Sequence, residues 1–325
     1  MRAVVLEAKG GPEVLQVIEI PDPAAGPDEI VVDVSTTAVN RADLLQRMGL
    51  YPGPPSEYEV PGLEFAGLVS EIGERVDSWT VGDAVMGITG GGAYAERLAV
   101  HERQAMAVPA SLPLNEAGAV PEVFITAWDA LVRQGGLTAG RWALVHAGAS
   151  GVGTAAIQIA KALGARIIVT ASPTKHDICY SLGADVVVDY RSRDFVEAAL
   201  VCSGRRGVDV VLDVIGADYL DRNVAALAVG GTIVQVGAMG GARTEFNLGA
   251  LLPKRATLVG TVLRARPLEE KIAVTQQFER EMLPLIAAGV MGPVIDSRYP
   301  LDRIADAHQR MESNANSGKL VIDVA

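Results

Sequence analysis

The amino-terminal part of the chain alternates short apolar runs with turns rich in proline and glycine. Residues 21–29 and 51–62 are such turns, each with several prolines and at least one glycine. Apolar, β-branched runs of about four to eight residues between turns of this kind are typical of strands. The pattern therefore predicts a β-rich first region, with strands at 2–7, 15–20, 29–37, 67–72, 84–88 and 94–100.

After a helical segment at 114–134, which Pro121 interrupts, the pattern changes to strands that alternate with helices. The strands read as continuous apolar runs, as expected where a parallel sheet is covered on both faces. They lie at 142–146, 166–170, 185–189, 208–214, 232–236 and 256–263. The alternation predicts an α/β fold with a doubly wound parallel sheet.

The segment after Arg266 does not continue the alternation. Pro267, followed by Glu269 and Glu270, is typical of a helix N-terminus, and a second helix at 301–313 precedes a strand at 319–324. We expect these elements to return to the first region and make it discontinuous. The predicted domains are therefore 1–121 with 266–325, and 122–265.

A glycine-rich turn, GASGVG at 148–153, links the strand at 142–146 to a helix that ends at Gly164. The dinucleotide pattern G-x-G-x-x-G needs glycine for a tight turn, for close approach of the backbone to pyrophosphate, and for helix–strand packing. Gly148 and Gly153 fill the first and last glycine positions of this pattern. Ser150 occupies the middle glycine position, and the extra glycine, Gly151, lies one residue after it. Without its flanks this would be a structural turn. With them we predict a pyrophosphate at the helix N-terminus, with Ser150 as a donor.

The end of the second strand indicates which dinucleotide binds. An NAD site carries Asp or Glu there to bind the ribose 2′-hydroxyl. This chain has TASPTK at 170–175, in which Ser172 donates a hydrogen bond and Lys175 brings positive charge. The segment predicts NADPH over NADH, unless Lys175 is only a solvated surface lysine.

Net charge, the length of the apolar runs and the cysteine spacing argue against several classes of function. The net charge of -11 disfavours nucleic acid as a partner, because phosphate-backbone binding needs clustered Lys and Arg. No apolar run is long enough to cross a bilayer and no signal peptide is visible, so we expect a cytoplasmic protein without a membrane partner. Cys179 and Cys202 have no motif spacing and are expected to be free thiols.

Five segments together carry a family resemblance: 38–51, 61–67, 146–165, 234–241 and 314–321. On these segments the whole chain resembles the zinc-independent quinone oxidoreductases of the medium-chain dehydrogenase/reductase superfamily, of the p53-inducible or zeta-crystallin-like type. The resemblance implies a groES-like catalytic domain, a Rossmann NADPH-binding domain, a cleft between them where hydride transfer occurs, and a homodimer.

Zinc alcohol dehydrogenases of this superfamily carry Cys where this chain has Asn40, and His where it has Leu63 beside Glu64. They also carry a lobe with four cysteines, whereas the first cysteine here is Cys179. A zinc site needs about three or four suitable ligands. None can be assembled from Cys and His, and a carboxylate-rich site has no motif behind it, so we predict no metal.

Reduction of a quinone needs less electrophilic help than alcohol oxidation, because the acceptor is already electron-poor. The resemblance therefore implies NADPH-dependent reduction of quinones or related enones without a metal. Tyr51 is a candidate donor to the developing oxygen, or else a wall of the site. Asn40 is placed near the nicotinamide ribose or acceptor, or is the N-cap of the next helix. A 2-enoyl thioester reductase of the same fold is the alternative, and a non-catalytic NADPH binder is a further one.

The resemblance implies other cofactor contacts. These are Val152 in the loop, Thr126, Tyr190 at the adenine, Gly216, Gly237, Met239, Leu263 and Asn316. Thr126 is alternatively a buried helix hydroxyl, and Tyr190 a core residue with a wet tip. His146 is interpreted as structural.

The turn also resembles a nucleophile elbow, G-x-S-x-G, with Asp213 and His308 as triad partners. Val152 stands where the elbow needs glycine, so we expect no reaction with a fluorophosphonate probe.

Overall fold

The computed structural model describes residues 1–324. The chain divides into two compact units. The discontinuous unit is Met1–Ile125 with the chain from Arg264 onward, and the central unit is Thr126–Leu263. Each division lies within four residues of the boundaries predicted at 121/122 and 265/266.

The strands, numbered in chain order, are β1 Arg2–Leu6, β2 Leu15–Glu19, β3 Glu29–Val39, β4 Glu64–Ile72, β5 Ala84–Ile88, β6 Arg97–His101, β7 Ala105–Ala107, β8 Trp142–Val145, β9 Arg166–Ala171, β10 Val186–Asp189, β11 Val208–Asp213, β12 Leu227–Gln235, β13 Thr257–Gly260, β14 Ile295–Pro300 and β15 Lys319–Asp323.

The helices are α1 Arg41–Arg47, α2 Leu114–Ala117, α3 Pro121–Trp128, α4 Gly151–Ala162, α5 His176–Ser181, α6 Phe195–Cys202, α7 Leu220–Ala226, α8 Leu251–Lys254, α9 Leu268–Glu281, α10 Leu283–Ala287 and α11 Ile304–Glu312. A π-helical segment, Asp129–Gln134, follows α3. Short 3-10 turns lie at Pro12–Val14, Glu102–Gln104, Pro173–Lys175, Ala217–Tyr219, Leu248–Ala250 and Leu301–Arg303.

The central unit is built on a six-stranded, all-parallel sheet in the order β10-β9-β8-β11-β12-β13. The strand order reverses between β8 and β11, which is the switch point where open α/β sheets bind ligands. Apolar side chains of the strands, such as Leu144, Ile168 and Val211, form its core with Phe195 of α6. The predicted doubly wound parallel sheet is confirmed.

The discontinuous unit contains a seven-stranded sheet in the order β14-β15-β3-β4-β5-β7, with β6 also paired to β3. Its pairings are antiparallel except that of β14 with β15. Strand β15 pairs with β3 from Leu320 opposite Val39 to Asp323 opposite Thr36. The carboxyl-terminal strand therefore completes the first sheet, as predicted.

The strand bounds differ from prediction where a partner strand extends the ladder. β4 begins at Glu64 rather than at 67, because Glu64 pairs with Ile88 of β5. β12 begins at Leu227 rather than at 232 and runs through Gly230, whose φ is +82°. The short strands β7 and β14 are absent from the prediction, because three residues or a half-polar run give little periodicity.

Candidate functional site

The glycine loop follows β8 at the carboxyl edge of the parallel sheet, and its glycines are required by close contacts. A Cβ at Gly148 would lie 2.5 Å from the side chain of Val169 on β9. A Cβ at Gly153 would lie 2.3 Å from the carbonyl oxygen of Ala147, which itself has a φ of +57°. The backbone is therefore folded tightly against the N-terminus of α4, where unpaired N–H groups favour a phosphate.

Ser150 is the N-cap of α4, and its hydroxyl oxygen accepts from the backbone N–H of Gly153 at 3.0 Å. A hydroxyl that accepts one bond retains its own O–H as a donor. Ser150 thus replaces the middle glycine of the common pattern with a cap and leaves one hydrogen for a ligand.

Other predicted residues follow neighbouring strands at the same edge. Ser172 follows β9, Tyr190 follows β10, Gly216 lies beyond β11 and Gly237 beyond β12. Gly216 has a φ of +88°, and a Cβ there would lie 2.6 Å from the carbonyl oxygen of Gly241. Because the strands are parallel, their carboxyl ends bring these residues to one edge of the central unit.

The remaining predicted residues of the central unit differ in exposure. Gly151 and Val152 form the first turn of α4, and Met239 is 50% exposed in the loop after β12. Leu263 is buried. Thr126 is half-buried in α3, and no hydrogen bond from its hydroxyl to its own backbone is found within residues 1–324.

The end of β9 has the features expected around a 2′-phosphate. Ser172 is half-buried at the start of the turn Pro173–Lys175, and its side chain does not cap that turn. Lys175 is half-buried in the same turn, and Tyr190 at the end of β10 is 39% exposed beneath the Arg191 guanidinium at 5.6 Å.

His146 lies beneath the loop in a fully buried chain of hydrogen bonds. Its Nε2 lies 2.7 Å from Asn223 Oδ1, and Asn223 Nδ2 donates to Asp213 at 2.9 Å. Asp213 accepts from the backbone N–H groups of Ile215 and Gly216. Since Asp213 requires the amide as donor, Asn223 presents its oxygen to His146, which donates from Nε2 and accepts from Thr170 at Nδ1, 3.1 Å away.

Burial lowers the pKa of His146 to about 4, so the ring is neutral and links β8 to the loop after β11. The structural role predicted for His146 is confirmed. The sequence did not indicate Asn223 and Asp213 as its partners.

Asn40, in the discontinuous unit, is the N-cap of α1 and forms a capping box with Asp43. Its backbone N–H donates to Asp43 at 2.8 Å. Its amide Nδ2 donates to Glu64 at 2.8 Å and to the carbonyl of Ala38 at 3.2 Å, and its Oδ1 accepts from Lys319 at 2.7 Å. Both amide hydrogens are therefore used within the protein.

Lys319 and Glu64 form a buried ion pair that sequence reasoning missed. Lys319 Nζ lies 2.8 Å from Glu64 Oε1 and also donates to the carbonyl of Val39. Glu64 Oε2 accepts from the backbone N–H of Glu122 at 2.9 Å. The sequence did contain a signal for this pair: Glu64 and Lys319 are charged residues, and each begins an otherwise mostly apolar strand. Asn316 lies in the turn before β15, where it donates to Gly318 at 2.9 Å.

Asn40 and Leu63, which the resemblance places where zinc alcohol dehydrogenases carry Cys and His, have different surroundings here. Asn40 and Glu64 are bonded to Lys319, and Leu63 is 1% exposed among apolar side chains. Within residues 1–324, no group of three or more His, Cys, Asp or Glu side chains is arranged to hold a metal ion. The absence of a catalytic metal remains a prediction.

Tyr51 is half-buried after α1, with the guanidinium carbon of Arg264 5.0 Å from its ring centroid. Burial raises the pKa of the Tyr51 phenol, and the positive charge of Arg264 opposes that rise. The phenol is therefore protonated near neutral pH, as a hydrogen-bond donor must be.

The residues of the hydrolase alternative are each engaged in other contacts. Ser150 caps α4, Asp213 accepts from Asn223, and His308 lies 3.4 Å from the Tyr94 hydroxyl. Burial lowers the pKa of His308 to about 3, so it is a poor general base at neutral pH. These contacts argue against a serine nucleophile.

None of the helices within residues 1–324 has the length and apolar character required to cross a membrane.

Comparisons with known proteins match both parts of the chain. Residues 26–110 match the family model for an alcohol dehydrogenase GroES-like domain, and residues 151–287 match that for a zinc-binding dehydrogenase. The quinone oxidoreductase of Lama guanicoe is 30% identical over 326 residues, which cover 99% of this chain and 97% of the relative.

Two solved structures extend the comparison. Escherichia coli quinone oxidoreductase complexed with NADPH has a TM-score of 0.90 and 32% identity, with both chains covered completely. The structure of the CurK enoyl reductase has a TM-score of 0.89 and 26% sequence identity to this chain. The match covers 100% of this chain and 99% of the CurK chain.

Proposed function

The chain belongs to the medium-chain dehydrogenase/reductase superfamily, and we propose that it is an NADPH-dependent quinone oxidoreductase. Its acceptors are quinones or related electron-poor enones. The observation that carries the proposal is the sterically defined glycine loop at the N-terminus of α4. Asn40 and Leu63, which the resemblance places where zinc alcohol dehydrogenases carry Cys and His, fit hydride transfer without zinc. The similarity to quinone oxidoreductases along the whole chain supports it.

In this proposal the cofactor is held mainly by the central unit. The loop from Gly148 to Gly153 binds the pyrophosphate, Ser172 and Lys175 bind the 2′-phosphate, and Tyr190 covers the adenine. When bound, NADPH supplies a hydride from its nicotinamide. The contacts assigned to the other positions rest on the resemblance: Asn40, Thr126, Gly216, Gly237, Met239, Leu263 and Asn316.

The side chains of the discontinuous unit then have separate roles. Tyr51 donates to the oxygen that gains charge, since its phenol is protonated at neutral pH. Asn40 has no amide hydrogen left to donate, so any contact that it makes with a ligand is as an acceptor through Oδ1, which Lys319 orients. This narrows the role of Asn40 from a general polar contact to an acceptor.

A second candidate is a 2-enoyl thioester reductase, favoured by the structural similarity to the CurK enoyl reductase. An enoyl thioester is also an electron-poor alkene conjugated to a carbonyl. It requires the same donor for the developing oxygen.

The deciding experiment follows NADPH oxidation with a panel of 1,2- and 1,4-quinones, enones and a 2-enoyl thioester. We expect quinones to be the fastest acceptors, with rates unchanged by a chelator. Faster turnover of the thioester would select the alternative, and loss of activity with the chelator would overturn the metal-free mechanism. Tight NADPH binding without turnover of any acceptor would indicate a binding protein.

We also propose a homodimer formed through β13. This strand is the edge of the parallel sheet, and an exposed edge is prone to pair with another strand. Leu258 on β13 is 45% exposed, and Leu248 and Leu252 nearby in sequence are 72% and 76% exposed. Apolar exposure of this extent around a sheet edge supports pairing with the same strand of a second copy.

A cytoplasmic location completes the proposal. Cys179 and Cys202 are both free thiols, which fits a reducing compartment. Cell fractionation with an antibody against the protein tests this, and recovery from a secreted fraction would contradict it.

A further inference from the structure

Arg264 connects three segments of the discontinuous unit. Its Nε donates to the carbonyl of Gly90 at 2.9 Å, Nη2 to Gln46 Oε1 at 2.8 Å, and Nη1 to the carbonyl of Tyr51 at 3.3 Å. The residue is 7% exposed. All three acceptors are neutral oxygens, and within residues 1–324 no carboxylate forms an ion pair with this guanidinium. The positive charge of Arg264 is therefore not neutralised by a paired carboxylate and can act on the nearby Tyr51 ring.

The guanidinium also lies over the ring of Tyr51, with its carbon 5.0 Å from the ring centroid. A cation at this distance from a ring centroid is attracted to the ring face. Arg264 therefore contacts Tyr51 twice, through the backbone carbonyl and through the ring. Together the two contacts restrain both the turn and the direction of the phenol.

Gly53 shows how closely the turn is folded around this group. A Cβ at Gly53 would lie 2.6 Å from Gln46 Nε2 and 2.7 Å from Arg264 Nη2. Gln46 is itself fixed, since its Oε1 accepts from Arg264 and its Nε2 donates to Glu59 at 3.0 Å. The last turn of α1, the loop with Tyr51 and Arg264 thus form one packed group.

We propose that Arg264 is the positioning residue for Tyr51, whose phenol it holds in a fixed orientation for the acceptor oxygen. The assignment of a catalytic phenol rests on the proposed function. The physical coupling between Arg264 and Tyr51 does not. A donor fixed in advance needs no reorganisation as charge develops, so loss of the restraint lowers turnover more than cofactor binding. Lysine cannot replace the planar fork that meets three acceptors and the ring.

The first test measures the pKa of the Tyr51 phenol and how firmly its ring is restrained. A 3,5-difluorotyrosine is placed at position 51, and its 19F resonance is titrated in the wild type, Arg264→Met and Arg264→Lys. Removal of the positive charge is expected to raise the phenol pKa and to change the resonance position and width, because the ring is no longer restrained. Arg264→Lys is expected to restore the pKa in part but not the resonance width.

The second test is a double-mutant cycle in quinone reduction. Arg264→Met is expected to lower kcat by about ten- to hundredfold, with the KM for NADPH nearly unchanged, as for a misplaced catalytic group. If Arg264 acts through Tyr51, adding Arg264→Met to Tyr51→Phe lowers kcat no further. Arg103→Met is the matched control, since Arg103 is an exposed arginine paired with Glu269 in the same unit.

Gly53→Ala tests the same group with Arg264 still present. Its Cβ displaces the guanidinium or Gln46, so we expect the same change in the 19F resonance. An unchanged fluorine titration in Arg264→Met, or additive losses in the cycle, would overturn the proposal. If the wild type reduces no acceptor, the proposed function fails, while the fluorine titration still decides the coupling.

Discussion

At the scale of single residues, the neighbours of a side chain decide which part of its chemistry remains for a ligand. The Asn40 amide has two donors and an oxygen, and three protein contacts take both donors and one lone pair. The Ser150 hydroxyl can both accept and donate a hydrogen bond. Its oxygen accepts from the backbone N–H of Gly153 in α4, which leaves its O–H as a donor. Both residue types were recognisable as polar candidates in the sequence. Their remaining capacity depends on Lys319, Glu64 and Gly153.

Lys175 carries the prediction about cofactor preference. Lys175→Met is expected to raise the Kd for NADPH about tenfold or more, since a hydrogen bond to a charged group contributes about 1.5–3 kcal/mol. The Kd for NADH, which has no 2′-phosphate, stays nearly constant. Fluorescence titration of each cofactor measures both constants. Lys161→Met, which removes an exposed lysine paired with Asp185, is the control. Equal wild-type affinities for NADPH and NADH would contradict the assignment.

His146 carries a prediction about pH. Its folded-state pKa of about 4 lies below the usual value, so the stability due to its neutral form is fully present above about pH 6.5. That stability is lost as the pH falls towards 4, by about 1.4 kcal/mol for each pH unit. Asp43, whose pKa burial raises to about 6, acts in the opposite direction, since stability falls as the pH rises from about 4 to 6.

Urea unfolding of the wild type and His146→Gln at pH 7.5, 5.5 and 4.5 isolates this effect. The variant is expected to be less stable at pH 7.5 because the bond to Asn223 is disturbed. The deficit should shrink as the pH falls, since glutamine does not titrate. A deficit that stays constant with pH would show that His146 does not remain neutral in the folded protein.

At the scale of elements, the strand–turn–helix unit around the glycine loop is determined mostly by local contacts. Gly148 packs on β9, Gly153 packs on the turn itself, and Ser150 begins α4. The contacts of Gly153 and Ser150 span few residues and that of Gly148 reaches only the next strand, so the spacing of strand, turn and helix predicted the motif. The start of β12 was predicted less well. The strand begins at Leu227, five residues before the predicted start, because Leu227 pairs with Val208 of β11. Local strand propensity carries no information about such a partner.

Gly153→Ala tests the loop. Its Cβ would meet the Ala147 carbonyl oxygen at 2.3 Å, so the turn must shift and the backbone can no longer approach the pyrophosphate in the same way. We expect the Kd for NADPH to rise about tenfold or more by calorimetry, with a smaller change in Tm. Gly292→Ala, where a Cβ would meet open space, is the control. Unchanged affinity would remove the loop from the proposed site.

At the scale of the whole molecule, the two large sheets differ in the stretches of chain that form them. The parallel sheet comes from a continuous segment, and the alternation of strands and helices predicted that its strands are parallel. The mixed sheet needs β15, which is remote in sequence from its partner β3. A change in pattern after Arg266 predicted this return, but not the pairing register or the addition of β14.

Leu258→Lys tests the proposed dimer. A charge on an edge strand opposes pairing of like copies, so we expect the variant to shift towards monomer in sedimentation equilibrium. Leu68→Lys, at a position 42% exposed on β4, is the matched control and should leave the assembly unchanged. A wild-type protein that is monomeric at micromolar concentration would contradict the dimer.

The sequence by itself determined the fold class and the strand–turn–helix unit that holds the glycine loop. These depend on periodicity and on contacts between residues close in the chain. Only the tertiary structure decided that Lys319 meets Glu64 and Asn40, that Asn223 and Asp213 support His146, and that Arg264 holds Tyr51. Those partners come from strands and loops far apart in sequence, and their hydrogen bonds depend on distances that local pattern does not contain.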